Sequence, residues 1–281
     1  MADFDAHTHA FAPSQVAARQ AIADRDRAFR EIYADPTAAI ATAPAVIEAL
    51  TTDGFEGALL AGFAFAHGRD LAEQSEHILE AIAKHPTFFA AVPANPGLSG
   101  WEQSLVAARD LGAVAIGELR PHAQGWDPLG PDARRLCALA SELGMALLWH
   151  VSEPVGHPYP GKHGGISPSE LIHLSCAFPS LPMIGAHLGG GAAFYLQMPE
   201  LRSTATSLYF DTAAAFLLYD DDCVRRLVDL AGPSRVMFAS DYPLLSPRRQ
   251  LERVRASLPG DIAEAVSGAN AYSLFSELRN S

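Results

Sequence analysis

The chain has 281 residues, of which 49% are hydrophobic, so it can bury one large core without a second domain. Its 32 acidic and 20 basic residues give a formal net charge of −12. This charge repels nucleic acid and anionic membranes, and it favours a small-molecule partner. The three cysteines, Cys137, Cys176 and Cys223, are too widely spaced to indicate a disulfide framework or a thiolate zinc site, and we expect them to be buried.

The N-terminal residues MADFDAHTH lack the basic and apolar stretches of a signal peptide. No run of about 18 apolar residues indicates a membrane-spanning helix. We therefore expect a cytoplasmic protein that does not interact with membranes. Whether it forms a homo-oligomer is left open by the sequence.

Eight short apolar segments alternate along the chain with segments of helical periodicity, a pattern typical of βα units. The predicted strands cover residues 3–9, 57–63, 88–93, 113–119, 145–151, 182–188, 207–212 and 235–241. The predicted helices include residues 71–84, 101–111, 131–143, 167–178, 221–230 and 247–258.

Eight such units predict an α/β fold, a single (β/α)₈ TIM barrel that spans residues 1–281 as one domain. An open, doubly wound sheet is the alternative, but no G-x-G-x-x-G motif follows the first strand. Long connections follow the first strand, the fifth (152–166) and the sixth (189–206). In a barrel, loops at the carboxyl ends of strands shape the substrate pocket.

The first predicted strand carries the sequence DAHTH, with His7 and His9 two residues apart. Side chains at this spacing on a strand point to the same face, with Cα atoms about 6.5–7 Å apart. Two converging imidazoles can chelate one metal ion. Because histidine pairs at this spacing also occur by chance, the prediction depends on further ligands elsewhere in the chain.

Four later strands each end in one ionisable residue: Glu118, His150, His187 and Asp241. Burying any of them without a partner would cost several kcal/mol. The carboxyl ends of barrel strands meet on one face, so a bound cation would satisfy all of them together with the two N-terminal histidines. The alternatives are a Glu118–Arg120 ion pair, a helix cap at Asp241, and core histidines bonded to carbonyl groups.

These residues carry a resemblance to a known family. The motifs DAHTH (5–9), GAHLGGG (185–191) and SDYP (240–243), together with His150, resemble the amidohydrolase superfamily, specifically its amidohydrolase-related branch. The resemblance spans nearly the whole chain. It implies a metal-dependent hydrolase of a small amide, lactone or ester; the branch also contains non-oxidative decarboxylases.

The resemblance implies one of two metal arrangements. In the mononuclear form, His7, His9, His150 and Asp241 bind one Zn²⁺, and His187 serves as a nearby base. Glu118 departs from many decarboxylating members, whose fourth strand often carries no acid at this position. It favours the arrangement of binuclear relatives, in which a strand-four carboxylate bridges two ions.

In the binuclear form Glu118 is the bridge, and the other ligands divide between the ions: His7, His9 and Asp241 for the first, His150 and His187 for the second. We expect Zn²⁺, with Mn²⁺ or Fe²⁺ as alternatives. In either form the metal activates water and polarises the scissile group, and Asp241 shuttles the proton to the leaving group.

Substrate contacts are predicted for Arg120, His122, His163 and Tyr242, which lie at the end of strand four and on loops of the active face. Arg120 suits a carboxylate or another anion. In the competing hypothesis of a one-metal decarboxylase of an aromatic or enol acid, Arg120 holds the carboxylate. A third hypothesis is a catalytically silent binding protein, but such a protein has no need of a proton shuttle at Asp241.

Overall fold

Eight parallel strands form one sheet whose order follows the chain in the computed structural model, which describes residues 3–281. The strands are β1 (Phe4–His9), β2 (Gly57–Ala61), β3 (Phe89–Val92), β4 (Ala115–Leu119), β5 (Ala146–Trp149), β6 (Met183–Gly185), β7 (Leu208–Asp211) and β8 (Val236–Met237).

The segment that contains β8 closes the sheet onto β1. The Ala6 amide donates to the Phe238 carbonyl at 2.9 Å, and the Asp241 amide donates to the His7 carbonyl at 3.0 Å. The sheet is therefore a nearly closed barrel. The predicted (β/α)₈ TIM barrel is confirmed, and the open doubly wound sheet is excluded.

Fifteen α-helices surround or cap the strands within residues 3–281. They are α1 (Pro13–Ala17), α2 (Arg19–Arg25), α3 (Arg27–Tyr33), α4 (Ala43–Thr52), α5 (Gly68–Lys84), α6 (Trp101–Asp110), α7 (Pro121–Gln124), α8 (Pro131–Glu142), α9 (Pro168–Ala177), α10 (Pro199–Thr204), α11 (Ala215–Leu218), α12 (Cys223–Ala231), α13 (Pro247–Ser257), α14 (Gly260–Glu264) and α15 (Asn270–Asn280). An irregular helical segment, His187–Gln197, follows β6.

The apolar residues divide between two layers because strand side chains alternate between faces. Leu59 belongs to the cluster inside the barrel, which α15 also contacts, whereas Leu60 belongs to the cluster between the sheet and the helices. Cys137 and Cys223 are buried as expected, and Cys176 is only partly buried. Within the described residues, none of the helices combines the length and the apolar character needed to cross a membrane.

The long connection after β1 differs most from the sequence-based expectation, which placed no helix there. Helices α1–α3 fold over the carboxyl end of the barrel, and an aromatic cluster holds α3 in place. Phe29 and Tyr33 of α3 pack against Phe11 and Phe63, with ring centroids 4.9–6.1 Å apart. This packing brings the C-terminal end of α3 to the mouth of the barrel.

Several strands are shorter than predicted, and the residues at their ends lie on loops. β5 ends one residue before His150, and β8 ends four residues before Asp241. His187 and Asp241 have φ angles of 58° and 62°, which no strand residue adopts. Such backbone costs about 1–3 kcal/mol in a non-glycine residue and is typical of functional sites.

Candidate metal centre

All six predicted metal ligands meet at the carboxyl ends of the strands, as two buried triads. In each triad the three ligand atoms lie within 4.8 Å of one another. The triads are His7, His9 and Asp241, and Glu118, His150 and His187. Atoms that bind one ion at about 2.0–2.2 Å are spaced on this scale.

Glu118 at the end of β4 belongs to the second triad and also lies beside the first. Its Oε1 is 2.8 Å from Nδ1 of His150 and 3.3 Å from Nε2 of His187. Its Oε2 is 3.6 Å from Nε2 of His9, and Oε1 is 3.9 Å from Nε2 of His7. One carboxylate thus contacts histidines of both triads, the position required of a bridging ligand.

Three of the four histidines are fixed by a hydrogen bond from the ring nitrogen that faces away from Glu118. His7 Nδ1 donates to Asp211 Oδ2 at 2.9 Å, and His187 Nδ1 donates to the Ala213 carbonyl at 3.0 Å. His150 Nε2 donates to the Gly161 carbonyl at 2.8 Å. Such bonds set the tautomer and orientation of metal-binding histidines, because the second nitrogen is left free to coordinate.

His150 provides a test of whether these residues fit a cation. A carbonyl oxygen only accepts hydrogen bonds, so Nε2 carries the proton and the Nδ1 lone pair faces the Glu118 carboxylate at 2.8 Å. His187 Nε2 approaches the same Nδ1 at 3.1 Å. The lone pairs of the His150 Nδ1 atom and the Glu118 oxygen repel each other at 2.8 Å, and a cation bound between them removes this repulsion. The donor set therefore fits a divalent metal.

The charges of the site are strongly coupled. Burial lowers the pKa of His7, but Asp211, Glu118 and Asp241 outweigh it and raise that pKa to about 9. Burial is likewise outweighed at His187, where Glu118 and the nearby aspartates raise the pKa to about 10. Burial raises the pKa of Glu118, but the histidines around it hold that pKa well below its ordinary value.

The pKa values of the other two histidines, His9 and His150, are shifted downward instead. Burial is the largest cause at both His9 and His150 and lowers the pKa of each. Without a cation, each triad therefore pairs a protonated histidine with a neutral one: His7 with His9, and His187 with His150. His7 Nε2 lies 3.2 Å from His9 Nε2, and His187 Nε2 forms the corresponding contact with His150.

Asp211 at the end of β7 is a site residue that the sequence analysis missed. It is fully buried, and in addition to its bond with His7 it accepts from the amides of His187 and Ala213 at 2.9 and 3.0 Å. The signal was present, because the apolar run SLYF ends in this acid just as the other strands end in ionisable residues. Through these bonds Asp211 holds two predicted ligands, His7 and His187, in position.

A cavity of about 480 Å³ opens onto the centre. Five of the six predicted ligands line it; His7 is fully buried beneath them. Tyr33 and Phe63 form an aromatic wall, and Leu217 and Leu244 are apolar residues at the rim, 57% and 54% exposed. This volume suits a small molecule.

Of the four predicted substrate contacts, only Arg120 lines the cavity. Its side chain is 1% exposed, and it forms no ion pair with Glu118 or with any other residue in the range 3–281. His122 lies on α7 and contacts Glu170 at 3.2 Å. His163 is exposed and Tyr242 is partly buried, and neither is among the residues around the cavity.

Solved structures with the same fold carry several activities. The chain is similar to 5-carboxyvanillate decarboxylase from Sphingomonas paucimobilis, with a TM-score of 0.78 and 16% identity over 98% of this chain and 99% of that chain. A dihydroxybenzoic acid decarboxylase from Polaromonas, solved with manganese and 2-nitroresorcinol, gives a TM-score of 0.71 at 13% identity over 98% and 97%.

A third similar structure, from Pseudomonas putida, is described as a candidate 2-pyrone-4,6-dicarboxylic acid hydrolase. It gives a TM-score of 0.70 at 17% identity over 98% of this chain and 97% of that chain. No curated protein matches the sequence. At these identities the likeness shows the fold and not the reaction. A family model described as Amidohydrolase matches residues 4–276, and the chain therefore belongs to the amidohydrolase family.

Proposed function

We propose that this protein is a metal-dependent hydrolase that cleaves a small amide, lactone or ester. The observation that carries the proposal is the position of Glu118, which belongs to one ligand triad and also contacts a histidine of the other. A second buried triad whose carboxylate also contacts the first triad supports two ions at one centre. When bound, divalent ions at such a centre lower the pKa of water and polarise the scissile carbonyl.

Asp241 is the residue proposed to move the proton. It lines the cavity, and its Oδ1 lies 3.4 Å from His9 Nε2. From this position it can take a proton from the attacking water and return it to the leaving group. His187 has this role only if a single ion is bound; with two ions it is a ligand.

The donor set, four imidazoles and two carboxylates, suits Zn²⁺, which we propose as the native metal. The manganese in the Polaromonas relative makes Mn²⁺ the first alternative. We further propose that the chain, residues 1–281, acts as one domain on a small-molecule substrate. The negative charge argues against nucleic acid as a partner. Cytoplasmic residence stays a prediction, and the formation of a homo-oligomer stays open.

Decarboxylation of an aromatic or enol acid is the second candidate, and the named activities of similar structures favour it over hydrolysis. Arg120 in the cavity wall would hold the carboxylate. Similarity of fold is weak evidence for a reaction, because one barrel fold hosts many reactions. We place hydrolysis first because Glu118, which contacts histidines of both triads, is a feature of this chain's own site.

A substrate panel run beside metal analysis tests the two candidates. The full chain, loaded with Zn²⁺ or Mn²⁺, is assayed on lactones, amides, esters and hydroxybenzoic acids, with CO₂ release followed separately. Hydrolysis by protein with about two ions per chain supports the proposal. Release of CO₂ by protein with one ion supports decarboxylation instead. A fully loaded protein that turns over neither class is a binding protein, and the proposal is then wrong.

A further inference from the structure

Arg120 is a buried cation with unused donors. Its Nη2 donates to the carbonyls of Gly161 and His163, on the loop after β5. Its Nε and Nη1 are buried and have no hydrogen-bond partner, and within residues 3–281 no carboxylate forms an ion pair with it. Leaving a buried guanidinium with two idle donors costs free energy unless a ligand supplies acceptors.

Tyr33, which is distant from Arg120 in sequence, lines the same cavity. It is the last residue of α3 and is 7% exposed, and its hydroxyl has no hydrogen-bond partner within the described chain. Burial, together with the charges on Asp241 and Glu118, raises the pKa of this phenol well above its ordinary value. The hydroxyl therefore keeps its proton and can donate to a ligand.

Aromatic packing and the loop after β5 hold these two side chains in place at the cavity. The Arg120 guanidinium lies over the Phe63 ring, 5.9 Å from its centroid, and Phe63 packs against Tyr33 at 5.7 Å. The Gly161 peptide fixes the other side, since its amide donates to Glu31 and its carbonyl accepts from Arg120 and His150. Arg120 is thus immobilised between an aromatic ring and a loop, two residues beyond Glu118.

We infer that Arg120 and Tyr33 form an anion subsite that binds a carboxylate of the substrate beside the metal centre. The guanidinium supplies a positive charge and unused N–H donors at Nε and Nη1, and a carboxylate oxygen can accept a charge-assisted hydrogen bond from one of them. The inference rests on the proposed function in placing this group next to the scissile bond. It narrows the substrate class to lactones, amides or esters that also carry a carboxylate.

Binding of a matched pair of probes tests the subsite without any need for turnover. Benzoate and benzamide have nearly the same shape and differ in charge. Their affinities for the metal-loaded full chain and for the metal-free chain are measured by ligand-observed NMR titration. We expect benzoate to bind at least about tenfold more tightly than benzamide in both forms, since a hydrogen-bonded charge is worth this much or more.

The variants are Arg120→Met, Arg120→Lys and Tyr33→Phe, with Arg249→Met as a control on exposed surface of α13. We expect the preference for benzoate to vanish in R120M, to survive in part in R120K, and to fall several-fold in Y33F, while metal content and benzamide affinity stay unchanged. R249M should behave as wild type.

Two outcomes would overturn the subsite. One is an unchanged benzoate preference in both R120M and Y33F. The other is benzoate binding that requires metal and ignores both substitutions, which would place the carboxylate on the ions. Failure of the hydrolase proposal looks different: the substrate panel is then inactive, while the Arg120-dependent preference for benzoate persists.

Discussion

The imidazole of His7 donates a hydrogen bond from Nδ1 to Oδ2 of Asp211 at 2.9 Å, across 204 residues of sequence. The same aspartate accepts the His187 backbone amide through its other oxygen. One buried carboxylate at the end of β7 therefore orients a histidine of each triad. Both triads therefore depend on a residue that belongs to neither of them.

Replacing Asp211 by Asn tests this dependence. The amide cannot offer two acceptor oxygens, so the His7 tautomer and the His187 backbone both lose support. We expect metal affinity to fall about 10- to 100-fold, as is typical when such a partner is removed. Competition against a chelator measures the change. Asp229→Asn, an exposed change on α12, is the control, and equal affinities in the two variants would contradict the role.

Glu118→Gln tests the bridge. A neutral amide shared by two ions binds them far less well than a carboxylate, so we expect the metal content to fall from about two ions per chain to one or fewer. Elemental analysis after equilibration with Zn²⁺ gives the count. Glu142→Gln, on the exposed end of α8, should keep the wild-type count. A mutant that still holds two ions would show that Glu118 does not bridge.

Asp241→Asn tests the proton shuttle. On any substrate that the panel identifies, kcat should fall about 100- to 10,000-fold, the usual contribution of a general acid or base. The ion of the Glu118 triad should be retained, which elemental analysis checks. Turnover within a factor of a few of wild type would exclude Asp241 from this role.

The pKa values predict how metal binding depends on pH. Without metal, His7 and His187 have pKa values raised to about 9 and about 10, so each carries an additional proton at pH 7. A metal ion must displace those protons. Affinity should therefore rise as the pH increases from 7 through 9 and level off near 10.

Calorimetry in buffers of different ionisation enthalpy counts the protons that are released. We expect nearly two per chain at pH 7 when both triads fill, and fewer above pH 10. Binding that releases no proton at pH 7, or that weakens as the pH rises, would contradict the assigned charge states.

Gly165→Ala probes the contact between the loop after β5 and the centre. A Cβ at this position would lie 2.3 Å from the His150 carbonyl oxygen and 2.5 Å from its ring Cδ2. His150 or the loop must shift, so we expect a loss of about 1–3 kcal/mol in stability and weaker binding of the second ion. Gly260→Ala, with no atom within 4 Å, is the control. Equal melting temperatures for the two variants would show that the loop adapts freely.

The sequence alone was enough to predict the barrel and the six candidate ligands. The spacing of apolar segments along the chain indicates βα units without any knowledge of tertiary contacts. An ionisable residue at the end of a buried strand needs a partner whatever the position of that strand in the fold. His7, His150 and Asp241 therefore stood out without knowledge of their contacts. The same rule applies to Asp211 at the end of β7, which the sequence analysis missed.

Only the tertiary structure decided which atoms meet. The pattern of residues could not show that Glu118 contacts both triads, because this depends on strand tilt and on where each strand ends. It could not place Tyr33 either, since α3 is held over the barrel by aromatic packing between distant segments. Arg120 lies in the cavity while His122 contacts Glu170 outside it, although the two are neighbours in sequence. Side-chain direction at the end of a strand depends on the backbone of the following loop, and that backbone is set by long-range contacts.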